Sequence, residues 1–174
     1  FEIMLNRQLE DKKVAILATN GYEESELRQP MKRLVDEGAT VHVISLKEEP
    51  IRGWHKGNWA MEKVHVDHTV HTANPAEYAG LVLPGGVMNP DNLRADDKAV
   101  DFVRGFFELG KPVAAICHAP WTLIEAEVVK GRTMTSYHTL RKDLENAGVN
   151  WVDKEVVVDQ GLVTSRNPGD LDAF

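Results

Sequence analysis

The only cysteine of this chain, Cys117, is followed directly by His118. The pair comes at the end of a short apolar run, Val113–Ile116, which predicts a strand buried on both faces of a parallel sheet. A helical stretch follows at residues 119–126. A thiol at a helix N-terminus is expected to ionise more easily, because unpaired N–H groups lie there. The sequence therefore predicts a nucleophile, although a lone cysteine is more often a small core residue.

Two further groups are expected at the same edge of the sheet. Glu26 lies in the first turn of a predicted helix, just past the end of the first strand, and its carboxyl group would accept a proton from the sulfur or hydrogen-bond the thiolate. The neighbouring Glu23 and Glu24 are explained by helix-dipole complementarity. Gly85 and Gly86 end another strand, and this pair fits either an oxyanion hole or a simple tight turn.

The elements that must position these residues follow from hydrophobic spacing. Apolar and β-branched runs predict strands at residues 14–19, 40–46, 79–83 and 113–116. Helical spacing occurs at residues 23–37, 96–109, 119–126 and 140–147. We predict a single domain over residues 1–174, an α/β doubly wound and mostly parallel sheet in a three-layer sandwich.

The remaining segments are expected to form less regular structure outside the main strands and helices. Residues 47–72 predict an antiparallel excursion outside the main sheet, with a half-exposed strand at residues 64–70. Residues 87–96 predict a loop, residues 151–158 and 162–165 predict a hairpin around Gln160-Gly161, and a last helix is expected to begin at Gly169.

Composition excludes several classes of partner. The formal net charge is −7 and there is no basic run, so neither nucleic acid nor an anionic membrane is expected as a partner. No apolar stretch approaches the roughly 20 residues of a membrane helix. A single cysteine excludes an internal disulfide framework and fits a reducing compartment. Residues 1–12 lack the apolar region of a signal peptide, so a cytoplasmic location is expected.

Three stretches were compared with cofactor-binding or metal-binding motifs, and each lacks a feature that the motif requires. Residues 105–111 resemble a P-loop, but Pro112 follows where Ser or Thr is needed, and the glycines precede a strand. Residues 18–26 lack the GxGxxG pattern of dinucleotide binding. His65, His68 and His71 would point to opposite faces of a strand, so a metal site is not expected. The prediction is a protein without metal or cofactor.

The motifs together resemble the PfpI family within the DJ-1 superfamily. They are LPGG at residues 83–86, GKPVAAICHAP at 110–120, NAGVNWVD at 146–153, EVVVD at 155–159 and VTSR at 163–166. The resemblance runs from about residue 13 to the end of the chain. It implies a flavodoxin-like sandwich that assembles as a homo-oligomer, either dimers or dimers of dimers up to a hexamer.

The resemblance also implies roles for individual residues. Cys117 matches the family's nucleophile at a strained elbow, Glu26 matches the glutamate that contacts its sulfur, and His118 matches the adjacent histidine. Asp91 matches the position of an acidic residue that completes a triad from a neighbouring subunit in peptidase-type members. The backbones of Gly85 and Gly86 and the amide of His118 match the oxyanion site.

Two residues depart from the family pattern near the nucleophile and affect the expected substrate class. Ala119 stands where the family usually has Gly, and Trp121 stands where Gln is common. A bulky indole at residue 121 would narrow the binding pocket or change its polarity. The loop at residues 87–92 is one residue longer than the peptidase pattern, which bears on the Asp91 assignment.

Three functions remain open. The first is a stress-defence enzyme acting on small reactive aldehydes or on glycated proteins, in which Cys117 attacks the aldehyde carbon. The second is an intracellular cysteine peptidase with a peptide or protein substrate, in which His118 is the base and Asp91 orients it. The third is a non-catalytic redox sensor or chaperone, signalled by oxidation of Cys117. A glutamine amidotransferase is set aside because no histidine follows His138.

Overall fold

Eleven strands are found in the computed structural model, which describes residues 7–174. Their bounds are β1 (Lys13–Leu17), β2 (Thr40–Ser45), β3 (Ile51–His55), β4 (Asn58–Val64), β5 (His68–Thr69), β6 (Gly80–Leu83), β7 (Val113–Ile116), β8 (Thr133–Met134), β9 (Asn150–Trp151), β10 (Val157–Asp159) and β11 (Leu162–Ser165). The longest central strands are the apolar runs that hydrophobic spacing predicts.

Five α-helices connect these strands in the described part of the chain. They are α1 (Glu24–Asp36), α2 (Met88–Arg94), α3 (Asp97–Glu108), α4 (Pro120–Glu125) and α5 (Arg141–Asn146). Short 3₁₀ turns lie at Pro75–Glu77, His138–Leu140 and Pro168–Asp170. The side chain of Asp96 begins α3 by accepting the N–H of Ala99 at 3.0 Å, as an N-cap residue does.

Seven strands form one sheet in the order β10-β11-β7-β6-β1-β2-β5. All neighbours pair in parallel except β10 and β11, which form the antiparallel hairpin expected around Gln160-Gly161. β3 and β4 form a separate antiparallel hairpin, which is the predicted excursion. The predicted fold class, a mostly parallel α/β sandwich with an antiparallel excursion, is confirmed.

Alternate residues of β1 show how the layers form. Ala15 and Leu17 face the core under α3 and α4, whereas Val14 and Ile16 face α1 and the β3–β4 hairpin. All four are buried, so the strand carries apolar residues on both faces. The sheet is therefore the middle layer of three.

Four local predictions were wrong. Residues 88–94 form helix α2 instead of a loop, because Pro90 lies in the first turn, where its missing N–H has no helical partner to lose. The strand expected at residues 64–70 is interrupted, since β4 ends at Val64 and β5 has only two residues. The strand expected at 151–158 is divided between β9 and β10, and the segment from Gly169 forms a 3₁₀ turn.

The sheet order brings the carboxyl ends of β7, β6 and β1 next to one another. Ligand sites of open α/β sheets lie outside these ends, where successive crossovers diverge. Within residues 7–174, no helix has the length and apolar content needed to cross a bilayer.

Candidate active site

Cys117 occupies a strained turn directly after β7. Its φ of 63° lies in the left-handed region, which residues with a side chain rarely adopt. Two backbone hydrogen bonds hold it there: its N–H donates to the Ser165 carbonyl at 3.1 Å, and its own carbonyl accepts the N–H of Tyr137 at 2.9 Å. The thiol is thereby fixed at the carboxyl edge of the sheet.

The imidazole of His118 lies beside the thiol, with Nδ1 3.1 Å from Sγ of Cys117. Its ring stacks on Tyr137 at a centroid distance of 4.5 Å, and its centroid lies 5.1 Å from that of Trp121 in a T-shaped arrangement. Burial lowers the pKa of His118, and the nearby His138 lowers it further. The imidazole is therefore neutral at neutral pH and has a nitrogen that can accept the thiol proton.

Glu26 is fully buried in the first turn of α1, against the same sulfur. Its Oε2 accepts the N–H of Gly85 at 2.7 Å, while Oε1 has no hydrogen-bond partner among the described residues. Burial raises the pKa of Glu26 from 4.5 to about 8, although the hydrogen bonds from Gly85 and Cys117 act in the opposite direction. The carboxyl group therefore carries its proton at neutral pH.

The thiol does not ionise easily in this resting arrangement, so that sequence-based expectation was wrong. Burial raises the pKa of the Cys117 thiol, and an ionised Glu26 would raise it further, whereas the backbone N–H groups of Gly86 and His118 lower it. The following helix α4 has only six residues, and its dipole does not outweigh the burial.

The two glycines are required because other atoms occupy the space of a side chain. A Cβ on Gly85 would lie 2.6 Å from Glu26 Oε2 and 2.7 Å from Cys117 Cβ. Gly86 has a φ of 76°, and a Cβ there would lie 2.5 Å from the Gly21 carbonyl oxygen. The N–H of Gly85 is used by Glu26, so it is not a free oxyanion donor; the N–H groups of Gly86 and His118 are those directed at the sulfur.

Asp91 does not contact His118 within the chain. It lies on α2 with an exposed side chain, and its Oδ1 accepts hydrogen bonds from Nε and Nη2 of Arg94 at 3.0 and 2.6 Å. Its predicted role with the His118 of a neighbouring subunit stays a prediction.

Trp121 forms one wall of the site and is half-buried. Its indole Nε1 donates to Asp143 at 2.9 Å, and the guanidinium of Arg94 lies 4.4 Å above its ring. The indole is therefore held at its Nε1 and over one face, and its plane is inclined at 65° to the ring of His118.

Two structural residues of the site were missed by sequence reasoning. The buried amide of Asn89 accepts the N–H of Thr19 at 2.8 Å and donates to the carbonyls of Pro84 and Gly85 at 2.9 and 3.0 Å. Tyr137 stacks on His118, and nothing in its local pattern indicates this contact. The local pattern at Asn89-Pro90 is typical of a loop, so it does not indicate the contacts of Asn89 either.

Among residues 7–174, no group of three or more His, Cys, Asp or Glu side chains is placed to hold a metal ion. Two of the three histidines of the sequence motif lie in different surroundings: His65 Nε2 is 3.7 Å from Asp67, and the His68 ring packs 5.2 Å from that of His42.

Comparison with known proteins gives consistent matches over nearly the whole chain. The profile of the DJ-1/PfpI family matches residues 12–174. Deglycase PfpI of Pyrococcus furiosus is 47% identical over 162 residues, which cover 93% of this chain and 94% of the relative. YraA of Bacillus subtilis, provisionally named a cysteine protease, is 42% identical over 94% of both chains. General stress protein 18 of Bacillus subtilis is 43% identical over 94% of this chain and 93% of its own.

A solved structure has the same architecture. The crystal structure of Drosophila melanogaster DJ-1beta superposes with a TM-score of 0.83 at 28% identity, covering 92% of this chain and 84% of that chain.

Proposed function

The chain belongs to the DJ-1/PfpI family, and from this we propose that it is a cysteine-dependent enzyme of stress defence. Its substrates are reactive dicarbonyls or the adducts that they form with proteins. Relatives named as deglycases and as a general stress protein support this proposal. The observation that carries it is the 3.1 Å contact between Cys117 Sγ and His118 Nδ1, with the Glu26 carboxyl group against the same sulfur.

The first step forms a hemithioacetal. His118 takes the thiol proton at Nδ1, and the sulfur adds to the aldehyde carbon of methylglyoxal, so that the carbonyl electron pair moves to oxygen. That oxygen then receives the proton from His118. The protonated Glu26 donates a hydrogen bond that stabilises negative charge on the sulfur before attack. Charge separation is confined to the moment of reaction, since the groups begin and end neutral.

The second step is an internal oxidation and reduction. The hydrogen on the former aldehyde carbon moves to the neighbouring carbon through His118, and the hydroxyl proton moves to the neighbouring oxygen. The first carbon becomes a thioester and the second a secondary alcohol. Water then cleaves the carbon–sulfur bond, the sulfur recovers its proton, and lactate leaves. Methylglyoxal and one water thus give one lactic acid, with no external oxidant.

A protein adduct follows the same course with a different leaving group. When the aldehyde carbon is already bonded to a protein amine, the same hydrogen shifts give an amide. The thiolate attacks that carbonyl carbon, the amine leaves with a proton from His118, and water cleaves the resulting thioester. The protein amine is regenerated and lactate is released.

Turnover of methylglyoxal by Cys117→Ser and His118→Asn tests this proposal. We expect kcat/KM to fall by at least about a hundredfold in each variant, because each removes a group that bonds to the reacting atoms or carries their proton. His65→Asn is the matched control, since its side chain is 81% exposed and its Nε2 lies 3.7 Å from Asp67. Wild-type rates in Cys117→Ser would overturn the proposal.

A cysteine peptidase is the second candidate, and the Cys117–His118 contact together with the provisional name of YraA supports it. In this proposal His118 is the base and Asp91 of a neighbouring subunit orients it within a homo-oligomer. The same variants, assayed with a fluorogenic peptide, distinguish the two activities. Peptide hydrolysis that exceeds methylglyoxal turnover and is lost in His118→Asn would favour the peptidase.

A further inference from the structure

Arg94 lies in surroundings that are typical of a bound guanidinium ligand. Its Cζ is 4.4 Å from the centre of the Trp121 ring, while its Nε and Nη2 donate to Asp91 at 3.0 and 2.6 Å. A flat cation that stacks on an indole and pairs with a carboxylate uses both recognition modes in which arginine differs from lysine. The chain thus supplies both the receptor surface and its occupant.

This surface borders the nucleophile. The Trp121 ring lies 5.1 Å from the ring of His118, whose Nδ1 is 3.1 Å from Cys117 Sγ. The hydrogen bond from Trp121 Nε1 to Asp143 fixes the plane of the indole. A molecule that replaces the Arg94 guanidinium on this ring therefore contacts the same indole that packs against His118.

Arg94 is also easily displaced. The side chains of Arg94 and Asp91 are 38% and 57% exposed, and exposed ion pairs contribute little to stability. An incoming guanidinium would regain the same two contacts, and Arg94 would move into solvent.

We propose that the face of Trp121 and the carboxylate of Asp91 form a guanidinium-binding subsite, filled in the resting protein by Arg94 and taken by arginine-derived adducts during repair. The substrate assignment rests on the proposed function, because an arginine adduct is a substrate only for an enzyme that repairs adducts. In an arginine adduct, the dicarbonyl carbon is bonded directly to a guanidinium nitrogen. Because the Trp121 ring packs against His118, a guanidinium held on this ring keeps the adduct carbon at the wall of the site.

The test uses protection of Cys117 from alkylation. Because Cys117 is the only cysteine, intact mass after iodoacetamide treatment reports this residue alone. The probes are N-acetyl-arginine methylamide and its lysine counterpart. In Arg94→Ala, we expect the arginine probe to slow alkylation roughly threefold or more, and the lysine probe to have little effect. In the wild type, Arg94 competes and protection is weaker.

Arg141→Ala is the matched control. Arg141 also stacks on an indole, 5.4 Å from the ring of Trp151, and pairs with Glu145 at 2.9 Å. In Arg141→Ala, the arginine probe is expected to protect Cys117 from alkylation no more than it does in the wild type. Adding either Trp121→Leu or Asp91→Asn to Arg94→Ala should abolish the protection. Equal protection by both probes, or protection that persists in both double variants, would overturn the subsite.

The guanidinium-binding subsite can be tested independently of the proposed function. Calorimetric titration of Arg94→Ala with the arginine probe measures the subsite even where Cys117 is inert, and absence of binding there contradicts it. Repair of arginine and lysine adducts by wild type and Trp121→Leu then connects the subsite with catalysis. We expect the ratio of arginine to lysine repair to fall about tenfold in Trp121→Leu. An unchanged ratio would contradict the assignment of arginine adducts.

Discussion

The positions of three protons decide the chemistry at the scale of single residues. Burial raises the pKa of Glu26 to about 8 and also raises the pKa of the Cys117 thiol, whereas it lowers the pKa of His118. At neutral pH the site therefore holds a thiol, a neutral imidazole and a carboxylic acid. Buried isolated charges are costly, so the nucleophile is formed when a substrate is present and is otherwise kept protonated.

The raised pKa of Glu26 makes a prediction about stability. The folded protein holds this proton more tightly than the unfolded chain, so the stabilisation is complete below pH 4.5 and is lost as the pH rises to about 8. Across this window, Glu26 is expected to lower the free energy of unfolding by up to about 1.4 kcal/mol per pH unit. Glu26→Gln removes this dependence, which urea denaturation at several pH values will show.

The control for this prediction is Glu108→Gln, which changes an exposed carboxyl group at the end of α3. Its free energy of unfolding should change with pH in parallel with that of the wild type. If Glu26→Gln also ran parallel to the wild type from pH 5 to 8, the carboxyl group of Glu26 would be ionised in the folded protein and the assignment would be wrong.

At the scale of elements, the β3–β4 hairpin supports the site although it contributes no reacting group. Backbone hydrogen bonds tie it to the loop after β1: Gly21 N–H donates to the Arg52 carbonyl at 2.9 Å, and Trp54 N–H donates to the Tyr22 carbonyl at 2.6 Å. That loop in turn packs against Gly86, since a Cβ at Gly86 would meet the Gly21 oxygen. The hairpin therefore fixes the turn whose N–H faces the sulfur.

Gly53→Ala tests this support. An added Cβ at Gly53 would lie 2.7 Å from the Tyr22 ring, so the hairpin must shift away from the loop. We expect a loss of about 1–3 kcal/mol in stability and a fall in kcat of about tenfold to a hundredfold. Gly57→Ala is the control, because nothing lies within 4 Å of its added Cβ, although its φ of 80° brings some strain. Equal kcat values in the two variants would show that the hairpin does not position the site.

How much of this could be predicted differs from element to element. The strands ending at Gly85 and at Cys117 were predictable, because their apolar runs stop abruptly at turn residues. Helix α2 was not, since Asn89-Pro90 is typical of a loop and one partner of the Asn89 side chain, the N–H of Thr19, lies far along the chain. The raised pKa of the resting Cys117 thiol was not predicted either, because it arises from tertiary burial, which local spacing does not reveal.

For the whole molecule, the order of the sheet explains why distant segments meet. The chain runs from β1 outward to β2 and β5, and then returns to β6 and β7 on the other side of β1. The carboxyl ends of β1, β6 and β7 thereby carry Glu26, the glycine pair and Cys117 to one edge. Parallel topology alone makes this juxtaposition predictable, whereas the pairing of Asp91 with Arg94 does not follow from it.

Assembly gives the last prediction, which concerns Asp91. If Asp91 of one subunit completes the site of another, subunits that carry Cys117→Ser and subunits that carry Asp91→Asn are each inactive, yet a mixed oligomer contains sites with an intact Cys117 and an intact neighbouring Asp91. Half of the dimers that form at random from an equal mixture contain both variants, and each of these has one intact site of two. Co-refolding should therefore restore about a quarter of the wild-type activity that each variant alone has lost.

The matched control mixes Cys117→Ser with His118→Asn. Both residues belong to one site within one chain, with Sγ and Nδ1 3.1 Å apart, so no pairing of these subunits produces an intact site. Activity should stay absent in this mixture at every ratio. Recovery in neither mixture, with native gels showing that mixed oligomers form, would mean that Asp91 acts within its own chain, where the structure pairs it with Arg94.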